Sequence, residues 1–379
     1  MKLFSESNKN NEGNSAGQQQ KNSTDQQIIV ISPRKNVLSE ITSQLLMHGL
    51  KNISEHQADF FMLKDDSITH GALAVVVDVV NVTDDTLITE TAMLLVSATS
   101  KQIFVGSNDS IAFAQKLKQL GIIYIHVESQ LAQIADYIQE PNLPQTARAM
   151  MKISILGCKG GVGTTTIAYD LFRTVGALSS IPMLLVQGAS GSSDLDLQMG
   201  TTLPRDGSML KITQNLSARI ETPDNEWSYE ELQFNQYNLV FFDHSIYPHI
   251  HERLEMVIAQ SHTIILVISR ELSTLRIAKS ILDEYNRIVI TNPGWKTRML
   301  LCLNENHLRR TEDLNNDDIR EYLGCSLTCV NPYSIKREKP AAGSPLYQFA
   351  ADLLGKSVEH EHTRKRAFSL STMLRRVSR

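Results

Sequence analysis

The stretch Lys159-Gly160-Gly161-Val162-Gly163-Thr164-Thr165-Thr166 constrains this chain more than any other, because it follows directly on the apolar run 152–157. A short apolar strand feeding a glycine-rich turn and then a helix start is the context in which backbone cradles phosphate. Consecutive glycines let N–H groups turn toward an anion with no Cβ in the way, and the helix adds its positive end. Two positions depart from the pattern G-x-x-x-x-G-K-[ST]: Thr164 stands where lysine is expected, and Cys158 where the first glycine is expected. Threonine offers a hydroxyl but no charge, so polyphosphate loses a charge-assisted contact. A glycine-rich turn with no ligand is the competing reading.

Beyond the loop, residues 167–172 read as helix, and 183–186, 239–243, 263–268, 298–303 and 327–330 as short apolar strands with helical patterns between several of them. That alternation predicts a larger α/β domain over 151–358, a parallel sheet covered on both faces whose ligands sit at strand C-terminal ends.

The front of the chain divides at composition shifts. Residues 1–26 are rich in Ser, Asn, Gln, Lys and Gly and are expected to be disordered. From 27 to 139, strand-like runs at 28–31, 72–77, 102–105 and 122–127 alternate with helical patterns, one of which puts Val37, Ile41, Leu45 and Leu46 on a single face before Gly49. A small doubly wound sheet is expected there. Pro141 and Pro144 mark 140–150 as a linker, and 359–379 form a basic tail. Across all 379 residues, 42% hydrophobic and 21% charged content describes a globular protein, and a formal charge of −4 argues against nucleic-acid binding as a main role. No apolar run reaches the ~18–20 residues of a membrane span, and no signal-like N-terminus is present, so a cytoplasmic location is expected. The four cysteines, Cys158, Cys302, Cys325 and Cys329, read as reduced thiols. His244, His249 and His251 give a faint metal signal.

The loop, with Lys159 ahead of its two glycines, resembles the deviant Walker A motif of the ParA/MinD superfamily. The resemblance implies a P-loop NTPase fold that binds ATP between two subunits. It implies that Lys159 is the lysine that reaches the partner's nucleotide, and that Gly160, Gly161, Val162, Gly163, Thr164, Thr165 and Thr166 form the cradle. Asp243, ending its strand, matches the Walker B position, so Thr165 and Asp243 are the implied Mg2+ residues. Asn304 resembles the asparagine that reads adenine, and Pro332, in Asn331-Pro332-Tyr333, the loop closing over the base. Three features depart from the superfamily: Thr164 replaces the second lysine, Val186-Gln187-Gly188-Ala189 lacks the switch carboxylates, and His244-Ser245-Ile246-Tyr247-Pro248 stands where a Thr-Pro-Pro switch is usual. Asp194 or Asp196 could replace those carboxylates only from an altered loop, and otherwise belongs to a helix start. Hydrolysis is accordingly expected to be weak or absent.

The segment 27–139 resembles a receiver-like (flavodoxin-like) domain, with Asp78 at a strand end where receivers are phosphorylated. An acidic pair after the first strand and a lysine after the last are missing, which predicts a pseudo-receiver used for binding. In this order the two domains resemble the TadZ/CpaE family of Flp (tight adherence) type IVb pilus assembly. That resemblance implies a homodimeric localisation factor, polar or peripheral to the inner membrane, which recruits the pilus secretion ATPase and other assembly proteins. An active ATPase cycling on membrane or DNA, and a receiver-switched regulator, are the alternatives. In the tail, Arg364, Lys365, Arg366, Arg375 and Arg376 accompany a helical-spaced apolar set that includes Leu370 and Leu374, with Phe368 nearby. A basic amphipathic helix on an anionic membrane and a solvated tail both fit that pattern; nonspecific DNA contact is a third reading.

Overall fold

Four consecutive buried residues, Ile28–Ile31, make a strand with no polar alternation, as expected where both faces of a sheet are covered. The computed structural model describes residues 27–140, 149–190, 193–334 and 339–356. The front domain runs β1 (Ile28–Ile31), α1 (Lys35–Met47), β2 (Ile53–His56), β3 (Ala74–Val80), α2 (Asp85–Leu95), β4 (Lys101–Gly106), α3 (Ile111–Gln119), β5 (Ile123–His126) and α4 (Ile134–Gln139). Its strands are all parallel in the order β2-β1-β3-β4-β5, a doubly wound arrangement with one apolar cluster on each face.

The second domain runs β6 (Met151–Gly157), α5 (Thr164–Leu178), β7 (Met183–Gln187), α6 (Leu195–Met199), β8 (Leu210–Lys211), β9 (Leu216–Ile220) and β10 (Leu239–Ser245). It continues through α7 (Ile250–Gln260), β11 (Thr263–Ile268), α8 (Leu272–Thr291), β12 (Arg298–Asn304), α9 (Asn316–Leu323), β13 (Cys329–Asn331) and α10 (Pro345–Leu353). The sheet order is β13-β12-β11-β6-β10-β7-β9-β8, with only β8 antiparallel to its neighbour. From the central β6 the chain moves one way to β7, and after β10 it crosses to the other side. The loop after β6 therefore lies at the topological switch point, at the strand C-terminal ends where α/β sheets hold ligands.

Several expectations need correction. Leu46 is 53% exposed, and Leu38 takes its place on the buried face of α1. Asp78 does not end its strand; β3 continues to Val80, whose φ of 54° breaks it. Strands β2, β8 and β9 have no counterpart in the sequence reading. The helix read at 167–172 begins at Thr164 and runs to Leu178, and the last strand lies at 329–331 rather than 327–330.

The two domains meet through the N-terminal ends of their strands. Asn238, just ahead of β10, is 2% exposed. Its Nδ2 donates to the Met93 and Val96 carbonyls at 2.7 Å each, and its Oδ1 accepts from the Ala98 N–H at 2.6 Å. Asp66 accepts from the Ser180 N–H at 2.7 Å and lies 4.0 Å from Lys356 Nζ. Buried amides so fully satisfied fix orientation, because any other placement would strand them without partners.

Candidate functional site

The loop between β6 and α5 takes its shape from two glycines. Gly161 and Gly163 have φ of 83° and 86°, and Gly163 is the N-cap of α5. Nothing lies within 4 Å of a Cβ built on Gly160 or Gly161, so the cradle is open there. A Cβ on Gly163 would come 2.3 Å from Asn304 Nδ2. That asparagine, at the end of β12, donates to the Val162 carbonyl at 2.9 Å and accepts from Asn331 Nδ2 at 2.9 Å. Asn306 donates to the Gly161 carbonyl at 3.3 Å. Asn304 thus braces the loop, and Pro332, following β13, is exposed.

The Thr164 side chain lies back against the end of β6: its Oγ1 is 2.1 Å from where a Gly157 Cβ would be. A neutral hydroxyl therefore occupies the interior of the loop. Cys158 is fully buried, and burial pushes its thiol up, so it is a small apolar residue here. Lys159 lies on the rim, where its Nζ is 2.5 Å from Glu271 Oε2 and 2.9 Å from Ser273 Oγ, both at the start of α8. The lysine hydrogen bond holds the Glu271 carboxyl below its usual range. A pair this exposed contributes little to stability, so the lysine is cheaply released.

Below the loop, Thr165 in the first turn of α5 lies beside Asp243 in β10, and its hydroxyl pulls that carboxyl's pKa down. Gln187, the last residue of β7, joins them. Its Nε2 is 3.3 Å from Thr165 Oγ1, 3.4 Å from Asp243 Oδ2 and 3.4 Å from Asp194 Oδ1, while its Oε1 accepts from the Leu195 N–H at 3.0 Å. Burial raises the Asp243 carboxyl to about 6; the Thr165 hydroxyl, the His244 ring and the Gln187 amide pull it down, and Asp194 pushes it up. Asp194 is thus brought into the site from the turn before α6, whereas Asp196 pairs with Arg205 at 2.7 Å. An open glycine cradle at the positive end of the fifteen-residue helix α5 fits a polyphosphate. The paired hydroxyl and carboxylate have hard oxygens suited to Mg2+, but the Gln187 amide already points into them.

The three histidines separate. His244 is buried against Glu221 at 2.8 Å and stacked on Trp227 with centroids 4.0 Å apart. His249 and His251 are exposed, beside Glu252 and Glu284. Among the described residues no three His, Cys, Asp or Glu side chains gather for a metal ion.

In the front domain the Asp78 side chain is fully buried. Its Oδ2 accepts from Ser32 Oγ at 2.6 Å and from Arg34 Nε at 2.8 Å, and its Oδ1 accepts from Arg34 Nη2 at 2.6 Å and from the Val80 N–H at 2.9 Å. The sequence reading gave this carboxylate no cationic partner, and Arg34 supplies one. Its signal was present two residues after Ser32, at the N-cap of α1.

Lys159, the glycines, Val162, Thr164, Thr165, Asp243 and Asn304 therefore converge, with Thr166 beside them in the first turn of α5. Gln187 as a bridging group went unread; of the two carboxylates weighed for the site, Asp194 reaches it and Asp196 does not. The tail residues Arg364, Lys365, Arg366, Phe368, Leu370, Leu374, Arg375 and Arg376 lie outside the described residues. No helix among the described residues is long and apolar enough to cross a membrane.

No protein-family model and no curated protein matches this chain. Among solved structures it is similar to a ParA family ATPase from Chlorobium tepidum, with 17% identity over 54% of this chain and 98% of that one and a TM-score of 0.44. It is also similar to the MinC:MinD cell division protein complex of Aquifex aeolicus, with 19% identity, 56% and 98% coverage and a TM-score of 0.45. A third similarity is to a cobyrinic acid a,c-diamide synthase from Mycobacterium smegmatis solved with ADP and magnesium, with 15% identity, 54% and 94% coverage and a TM-score of 0.36.

Proposed function

We propose that this chain is a ParA/MinD-type nucleotide-binding adaptor that binds ATP and hydrolyses it poorly or not at all, acting as a homodimeric localisation factor in Flp pilus assembly. One observation carries the chemical part. The glycine cradle at the switch point is open, yet its interior residue is the neutral Thr164 and its floor carries Gln187. Backbone amides and a helix end suffice to hold phosphate. Phosphoryl transfer also needs positive charge on the transferring group, and the interior of this loop supplies none.

The rim supports a docking role. Leu197, Tyr247, Leu272 and Leu308, on segments that follow β7, β10, β11 and β12, are exposed, and Leu272 adjoins the Glu271 that Lys159 pairs with. A second subunit across this rim would cover them and draw Lys159 from Glu271 to its own nucleotide. The pilus assignment rests on the order of a receiver-like domain followed by this one, with the secretion ATPase as the partner recruited at the pole or inner membrane. Engagement of Asp78 by Arg34 and Ser32 favours a front domain that binds partners over one switched by phosphorylation. The basic tail then contributes the membrane contact.

Purified full-length chain tests this reading. ATP binding with turnover no greater than that of Asp243→Asn is expected. Turnover abolished by Asp243→Asn returns the active ATPase cycling on membrane or DNA. Co-sedimentation with anionic vesicles should fall when residues 363–379 are removed; unchanged binding would discard the membrane role of the tail.

A further inference from the structure

The amide of Gln187 sits where a divalent cation would have to make its protein contacts. A cation held by Thr165 and Asp243 takes lone pairs of the hydroxyl and the carboxylate at about 2.1 Å. Here those oxygens, and Asp194 Oδ1, surround Gln187 Nε2 at 3.3–3.4 Å. The orientation of the amide is fixed rather than assumed. Its Oε1 accepts from the Leu195 N–H at 3.0 Å, so the opposite edge, bearing two N–H groups, must face the three oxygens. Gln187 is 3% exposed and ends β7, which pairs with β10 such that Gln187 and Asp243 are register partners. The sheet therefore holds their Cα atoms side by side.

We infer that Gln187 replaces the divalent cation, so that the site takes a nucleoside triphosphate free of metal. The inference rests on the nucleotide reading above and adds its cation requirement. The amide hydrogens carry the same sign of partial charge as a cation and point at the same oxygens, so they compensate Thr165, Asp194 and Asp243 without a metal. They also repel one that approaches. Recognition of the phosphates then falls to the loop amides, the positive end of α5 and Lys159. An ATP held this way is a ligand and not a substrate, which fits a protein that signals by docking.

Calorimetric titration of the full-length chain with ATP, in Mg2+ and in EDTA, tests the inference beside a Gln187→Asp variant. Wild-type affinity should agree within about twofold between the two buffers, whereas Gln187→Asp should bind at least about tenfold more weakly in EDTA than in Mg2+. Wild-type binding that weakens more than about tenfold in EDTA would overturn the inference and leave the nucleotide reading standing. A folded Gln187→Asp protein as indifferent to Mg2+ as wild type would overturn it too, by assigning the independence to another group. No ATP binding in either buffer would remove the nucleotide reading and the inference together. If the variant does not fold, the wild-type comparison decides alone.

Discussion

Replacing Asp243 by Asn should stabilise the protein at neutral pH. Asp243 is 6% exposed, and its carboxyl pKa rises from 3.8 to about 6 because burial costs its charge more than the Thr165 hydroxyl, the Gln187 amide and the His244 ring return. At 1.36 kcal/mol per pKa unit, keeping it ionised at neutral pH costs the folded state about 3 kcal/mol. The sign follows from linkage. A group whose pKa is raised on folding adds stability below its unfolded value, and that stability is lost as pH climbs through the folded one. The loss therefore runs from about pH 4 to about pH 6 and is complete above. Asparagine has the same shape, accepts from the Gln187 amide and carries no charge. Urea unfolding without nucleotide should show the variant equal to wild type near pH 4 and about 1–3 kcal/mol more stable near pH 7.5. A variant less stable at neutral pH, or a gain that does not change with pH, would refute the reasoning. Gains of this kind are characteristic of positions kept for function at the expense of stability.

Three further outcomes follow from contacts already described. Arg34→Ala leaves the Asp78 carboxylate buried without its cation and should cost about 3–5 kcal/mol, read by calorimetry; replacing Arg34 and Asp78 together by Met and Leu should recover most of it, and an unchanged melting curve for the single variant would show that the pair holds nothing. Acetyl phosphate should fail to label Asp78 in wild type, because Arg34, Ser32 and the Val80 amide already occupy both carboxylate oxygens; label lost in Asp78→Asn would restore the phosphorylated switch. Asn238→Ala removes three interdomain hydrogen bonds and should cost about 2–4 kcal/mol, with the single thermal transition splitting into two; one cooperative transition at the wild-type temperature would mean the domains are coupled elsewhere.

What could be read in the sequence was what depends on neighbours along the chain. The loop glycines and the apolar runs of β1, β6, β10 and β11 announce themselves because buried parallel strands are continuous in hydrophobicity. Edge strands are not: Ile53-Ser54-Glu55-His56 mixes polar and apolar residues because only part of β2 is covered. The same holds for Leu210-Lys211 in β8. Long-range polar contacts were invisible for a different reason. Arg34 and Asp78 lie 44 residues apart, and Asn238 reaches its carbonyls across more than 140. Gln187 could be read as a missing carboxylate, but not as a donor facing three oxygens, since that depends on Leu195 returning its N–H to the amide.

Asn238 precedes β10 and Asp243 lies within it, so the interdomain tie and the floor of the glycine loop are separated by about 17 Å along one buried strand. In the front domain too, Met93, Val96 and Ala98 meet the interface at the end of the sheet away from Asp78. The domains stand base to base, with their two charged centres facing opposite directions. A ligand gripped by the front domain and a second subunit seated on the loop rim, both as proposed above, would therefore not compete for space. On that proposal the molecule would join two occupants the way a double-ended connector does, each end free to be filled while the other is engaged.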